Sequence, residues 1–189
     1  MVLWVLSLKI NDRKRGSMNE QEKRKHRVCF TGHRPEKLDM SEGKVKSALL
    51  REIMKAIDEG FNVFISGMAR GVDMWAAEIV LELKEEHPDI KLIAAIPFEG
   101  FEKKWSRDNQ KQYNEILNQA DLVKYICPSF SYSTYQIRNE WMVDHSARVI
   151  AVFNGKKIGT KNTVDYAEKC GVELINIYEQ KKGIFGIFK

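Results

Sequence analysis

Six short apolar runs punctuate the chain from residue 27 onward: RVCFTG, NVFISG, IKLIAAIP, LVKYI, RVIAVF and VELINIY. Each is too brief for a helix of ordinary length and rich in β-branched or aromatic residues, so each predicts a strand. Between them lie KVKSALLREIMKAIDEG, VDMWAAEIVLELKEEH, NQKQYNEILNQA, TYQIRNEWMVDHS and TVDYAEKC, whose apolar residues recur at helical spacing. Gly60 and Gly171 stand where two of these helices should end. Strand and helix in alternation, with strands apolar on both faces, predict an α/β fold. Its favoured form is a Rossmann-like, doubly wound, mainly parallel sheet with helices on both faces. The order of the strands does not follow from the pattern.

Composition limits the organisation. A chain of 189 residues, 43% hydrophobic, suits one domain, and no internal repeat or linker divides it. The expected division is an N-terminal extension over 1–26, one domain over 27–178 and a tail over 179–189. MVLWVLSLKI is apolar for only about ten residues, short of the roughly 20 that a membrane-spanning helix needs. It reads as an appendage, a terminal strand or disordered tail, and Met18 is an alternative start for the chain. The net charge of +5 comes from 31 basic and 26 acidic residues, and much of the excess lies in RKRGSMNEQEKRKHR, ahead of the domain body. That distribution gives little support for nucleic acid. Cys29, Cys127 and Cys170 show no CxxC pairing. A reduced, cytoplasmic protein with no structural metal is expected.

In doubly wound folds ligands gather at the carboxyl ends of the strands. The loops there are TGHRPEKL, SGMARGVD, PFEGFEKKWSRDN, CPSFSYSTYQIRNEW and NGKKIGTKNT, in which Gly, Ser, Thr, Arg and Asn keep returning. In SGMARGVD, Gly67 and Gly71 allow close approach to the main chain, and Ser66 places a hydroxyl at a strand end. Asp73 stands in the first turn of the next helix, where it would cap rather than meet an anion. Exposed amides and the helix dipole would favour an anionic group at this turn. The same glycines would also serve a plain strand-to-helix turn.

SGMARGVDMWAA resembles a signature of the DprA/Smf proteins, while TGHRP, YQIRNEWMVDHS and NGKKIGTKNTVDYA resemble the YpsA-like family. Both belong to the SLOG superfamily, named for Smf/DprA and the Lonely guy proteins, and the likeness runs from about Arg27 to Tyr178. The resemblance implies a Rossmann-like domain binding nucleotides or ADP-ribose-like molecules. Its ligand-binding residues would be Thr31, Gly32 and Arg34, then Ser66, Gly67, Ala69, Gly71 and Asp73. From the later loops come Arg138 and Asn139, then Gly155, Gly159 and Thr160. Arg34 and Arg138 are candidate phosphate or ribose partners, and either could instead serve a surface ion pair. Gly159 and Thr160 would present amides and a hydroxyl to phosphate. His33 could donate to phosphate but has no nucleophile or acid partner in sequence.

One departure bears on catalysis. Lonely guy phosphoribohydrolases carry a glutamate in a glycine-rich motif, and the corresponding position here is Thr163, which has no carboxylate. Ile158 also replaces a glycine usual in YpsA-like chains. Glu140 or Asp144 would have to reach the pocket from a neighbouring helix. Aromatics after the third strand (Phe98, Phe101, Trp105) and the fourth (Phe130, Tyr132, Tyr135) could stack on a base or pack the loops down. Of these, Phe98, Tyr132 and Tyr135 are the stacking candidates, whereas Trp75 and Trp141 read as core and His145 as a helix-end residue.

Three functions compete on these grounds. The expected one is a cytoplasmic sensor or regulator holding a nucleotide or ADP-ribose-like small molecule, with no other cofactor. The second is a nucleotide-processing N-glycosidase, and the third a DprA-like binder of single-stranded DNA. A membrane partner is not expected, and homo-oligomer formation is left open.

Overall fold

The computed structural model describes residues 19–155 and 159–178. RVCFTG forms β1 (Arg27–Gly32), with four inner residues buried. The other strands fall within the remaining apolar runs: β2 (Val63–Ser66), β3 (Lys91–Ile96), β4 (Leu122–Tyr125), β5 (Arg148–Val152) and β6 (Glu173–Asn176). All neighbours pair in parallel, in the order β4-β3-β2-β1-β5-β6. The chain therefore steps outward from β1 to β4 and then crosses back to add β5 on the other side of β1. That reversal opens a crevice between the carboxyl ends of β1 and β5.

Side-chain alternation along the strands divides the core between two faces. Val28 and Phe30, Phe64, Leu92 and Ile150 enter one cluster, against α2 (Glu42–Asp58), α3 (Val72–Leu83) and α4 (Arg107–Gln119). Cys29, Ile65, Ile93 and Val149 enter the other, against α5 (Thr134–Asp144) and α6 (Gly159–Lys169). Burial raises the Cys29 thiol to about 12, so it stays protonated. Trp75 is buried as expected, and Trp141 is half-buried and stacks on His145 at the end of α5. Gly60 and Gly171 follow α2 and α6 as their positions predict.

One expectation needs correction. Burial on both faces fails at β4, an edge strand whose Leu122 and Tyr125 are half exposed. Ahead of β1 lies a short helix, α1 (Glu20–Arg24), capped by the Asn19 side chain on the Glu22 N–H at 2.9 Å. It joins the domain through Arg24 Nε, which donates to the Ser146 carbonyl at 3.0 Å, and a Glu20–Arg27 ion pair. Five residues without a buried side chain carry no apolar period to be read. The apolar N-terminal run, Met18, Ile158 and the tail over 179–189 lie outside the described residues. No helix of the described residues is long and apolar enough to cross a membrane.

Candidate functional site

The turn from β2 into α3 is held by its own side chains. Ser66, fully buried, donates its hydroxyl to the Asp73 carbonyl at 2.8 Å and accepts the Met68 N–H at 3.1 Å. Asp73 Oδ2 accepts the Ala69 N–H at 3.3 Å. The amides of Met68 and Ala69 are thus engaged within the turn and do not serve as the exposed amides expected there. Gly71 has a left-handed backbone, φ +88°, and a Cβ there would sit 2.7 Å from Pro35 Cδ. Its requirement is close packing onto the loop after β1.

That loop continues β1 toward the crevice. The His33 N–H donates to the Val152 carbonyl at 3.4 Å, extending the register with β5. The His33 ring is buried between Asn154, whose N–H lies 3.5 Å from Nε2, and Thr160, whose Oγ1 lies 3.1 Å from Nδ1. With Nε2 accepting, the ring proton sits on Nδ1 and goes to Thr160 Oγ1. The Thr160 hydroxyl can then turn its own hydrogen to a ligand. Thr160 is the second residue of α6, so this hydroxyl stands among the first amides of a helix, which have no partner within the helix itself.

α5 supplies the third wall. Its first residue, Thr134, is buried and accepts the Ser131 N–H at 2.7 Å, which fixes where the helix begins. One turn on, Arg138 reaches across to β2: its Nη1 donates to the Gly67 carbonyl and lies 3.7 Å from Asp73 Oδ2. Arg138 is 4% exposed, and its Nε has no hydrogen-bond partner among the described residues. A buried donor left over in this way is costly to a fold that does not use it. Burial raises the Asp73 carboxyl from 3.8 to about 6, against the pull of Arg138 and the Ala69 N–H. Burial lowers Arg138 in turn, countered by Asp73, and the guanidinium remains charged.

The Asp73 shift has a defined sign in stability. Between about pH 3.8 and about pH 6 the folded carboxyl keeps a proton that the unfolded chain has released, so its contribution is greatest below this window and declines as pH rises through it. Wild type should therefore lose stability relative to Asp73→Asn as pH rises across that window, with a flat difference above about pH 7. Urea midpoints of the two proteins over this range measure it. Wild type gaining stability relative to Asp73→Asn as pH rises would mean that Asp73 is instead stabilised as a charged partner of Arg138.

These walls enclose a cavity of about 320 Å³ at the crevice. Thr31, Gly32 and Arg34 line it from β1, Ala69 and Asp73 from the β2–α3 turn, Arg138 and Asn139 from α5, and Gly159 and Thr160 from α6. Ser66, Gly67 and Gly71 do not line it; they shape the turn behind it. Gly155 is exposed and outside the lining as well. Arg34 and Lys37 make no ion pair among the described residues, and both side chains are exposed at the cavity. Lys37 was missed in sequence: it is brought round by a single 3₁₀ turn, Pro35–Lys37, whose only signal was Pro35. His33, named in sequence as a possible phosphate donor, instead holds the Thr160 hydroxyl.

Among the stacking candidates only Tyr135 lines the cavity, joined by Phe101 from the loop after β3. Phe98 is occupied by packing on Phe101 and Tyr135, with centroids 6.0 and 6.1 Å apart, and Tyr132 is 99% exposed. The carboxylates considered for catalysis are engaged elsewhere. Glu140 accepts from Gln136 at 2.8 Å and Asp144 from the Tyr166 hydroxyl at 3.0 Å. Thr163 is buried, with its hydroxyl 3.5 Å from the Gly159 carbonyl. Asp73 is the one carboxylate among the described lining residues, and it faces Arg138.

A family model, YpsA, described as the YspA SLOG family, matches residues 28–179. The SPbeta prophage-derived protein YoqJ of Bacillus subtilis (strain 168) is 41% identical over 139 residues, 67% of this chain and 81% of that protein. A UPF0398 protein of Bacillus cereus (strain G9842) is 34% identical over 158 residues, 76% of this chain and 83% of its own length. Among solved structures, DNA processing protein A (DprA) from Streptococcus pneumoniae superposes with a TM-score of 0.59 at 18% identity, over 84% of this chain and 52% of that one. This chain thus spans about half of the pneumococcal protein. DNA processing protein A from Helicobacter pylori superposes with a TM-score of 0.60 at 21% identity, over 86% of this chain and 69% of that one. At these identities the likeness shows a shared fold.

Proposed function

The chain belongs to the YpsA family of SLOG proteins, and from that membership and the cations at its cavity we propose that it binds a nucleotide or a nucleotide-derived, ADP-ribose-like molecule. The role that follows is that of a sensor or regulator. One observation carries the reading: Arg34, Lys37 and Arg138 converge with the start of α6 on a single cavity. Asp73 offsets only Arg138, so the cavity keeps a positive excess suited to phosphate. Thr31 and Asn139 add side-chain polar groups that make no hydrogen bond among the described residues, and Tyr135 and Phe101 add apolar surface for a base or ribose. Such a cavity has the size and mixed lining of small-molecule sites.

Titration calorimetry with AMP, ADP and ADP-ribose tests the reading, and binding by none of the three would reject it. Arg34→Ala combined with Lys37→Ala should weaken ADP by about tenfold or more, since charge-assisted bonds contribute roughly 1.5–3 kcal/mol each when formed. The unliganded thermal midpoint should stay unchanged, because neither side chain is paired within the described fold. A fall in that midpoint equal to the loss in affinity would make both residues structural. A second reading is single-stranded DNA, which the DNA processing protein A of Helicobacter pylori binds on the same fold. It predicts oligonucleotide affinity falling steeply with salt.

A further inference from the structure

Aromatic side chains continue outward from the cavity wall. Tyr135 lines the cavity, Phe130 stands 6.3 Å from it between ring centroids, and Tyr132 a further 6.0 Å from Phe130. Exposure climbs along the series, from 38% at Tyr135 through 55% at Phe130 to 99% at Tyr132. Phe98 anchors the inner end, 5.4 Å from Phe130 and 6.1 Å from Tyr135. A ring left wholly in water contributes no burial to the fold, and Phe130 keeps half its surface there. The rings thus form a step that is fixed at its base, open at its top and continuous with the phosphate-binding cavity.

We propose that this step receives a second base, so that the ligand of the cavity is a dinucleotide: two heterocyclic rings joined through phosphates. The proposal rests on the nucleotide reading and fixes the class of nucleotide. The phosphates lie with Arg34 and Lys37, and one base extends past Tyr135 onto the exposed ring of Tyr132, with Phe130, whose plane is turned 63° from it, at the base's edge. Every base has a flat face, so aromatic side chains bind bases with little regard to sequence or hydrogen-bonding edge. The continuity of the step with the cavity argues for this occupant over a second copy of the chain, which would not need the ring series to begin at a phosphate site.

NAD and ADP-ribose are matched probes, because they share both phosphates and the adenine and differ by the nicotinamide ring. The full chain should bind NAD about tenfold more tightly than ADP-ribose, a factor within the range of one base stacked on an aromatic side chain. Tyr132→Ala, at a fully exposed side chain, should remove most of that difference, and Phe130→Ala with Tyr132→Ala should remove it entirely. ADP-ribose affinity should not change in either variant. Equal affinities for NAD and ADP-ribose in wild type, or equal losses for both in Tyr132→Ala, would overturn the dinucleotide class and leave nucleotide binding standing. Binding by neither probe, nor by AMP or ADP, would overturn both readings together. Sedimentation showing an association that Tyr132→Ala abolishes would assign the step to a self-interface. Oligonucleotide affinity that rises with length past that for NAD would assign it to single-stranded DNA.

Discussion

Arg138→Ala should destabilise the protein by about 3–5 kcal/mol, a loss typical of one partner removed from a buried ion pair. The cost is not that of a single bond. Without the guanidinium the Gly67 carbonyl loses its donor, and Asp73 is left as a buried carboxylate whose remaining described partner is the Ala69 N–H at 3.3 Å. Any phosphate-bearing ligand should also bind more weakly by about a hundredfold, since a buried donor aligned in advance contributes more than one drawn from solvent. Urea unfolding reads the first effect and calorimetry the second. The two separate in Arg138→Met with Asp73→Asn, where no buried charge remains: stability should return toward wild type while ligand affinity stays low. Recovery of both would show that Arg138 acts on the ligand only by keeping the fold intact.

Gly67→Ala should produce a related loss from the opposite direction. A Cβ at Gly67 would collide with Arg138 Nη1 and come within 2.7 Å of Asp73 Oδ2. Arg138 can move aside only toward the cavity and by giving up its bond to the Gly67 carbonyl, so the substitution should cost about 1–3 kcal/mol. Its ligand affinity should fall as well, although Gly67 is not a lining residue. In an Arg138→Ala background the main collision is gone, and Gly67→Ala should cost less than in wild type. The coupling between the two changes in a double-mutant cycle measures this contact. Additive costs would show that Gly67 is required for its backbone and not for the space it leaves to Arg138.

The strands were the most legible part of the sequence. Their β-branched runs fall at the predicted places because the inner strands are buried on both faces, leaving no competing period. What could not be read was the order: β1 pairs with β5 through Val28 and Arg148, a contact between distant segments that no local pattern encodes. The site divides along the same line. Thr31, Arg34, Arg138 and Thr160 sit in segments at the strand ends whose residue types already suggested phosphate, and each lines the cavity. Ser66 and Gly71 carry equally suggestive residue types, yet they turn inward to hold Asp73 and to admit Pro35. A glycine-rich turn looks alike in sequence whether the space is left for a ligand or for a neighbouring side chain. Lys37 was hidden, and Phe101 could not be told from Phe98 and Trp105 beside it, because their places depend on how whole loops fold over the sheet.

The reversal of strand order also has a consequence for how the molecule assembles. β1 to β4, four of the six strands, are neighbours in space in the order in which they occur in the chain, so this part can form from nearby segments. β5 and β6 must return across the whole sheet to reach β1, which makes their docking the slower closure. Arg34 and Asp73 belong to the first part, while Arg138 and Thr160 arrive with the second. A ligand touching both parts would act as a clasp on the last junction to form and the first to open. Hydrogen exchange at β5, α6 and β6 should then slow on ligand addition more than exchange at β2 and β3, tying the occupancy of a small cavity to the lifetime of one end of the sheet.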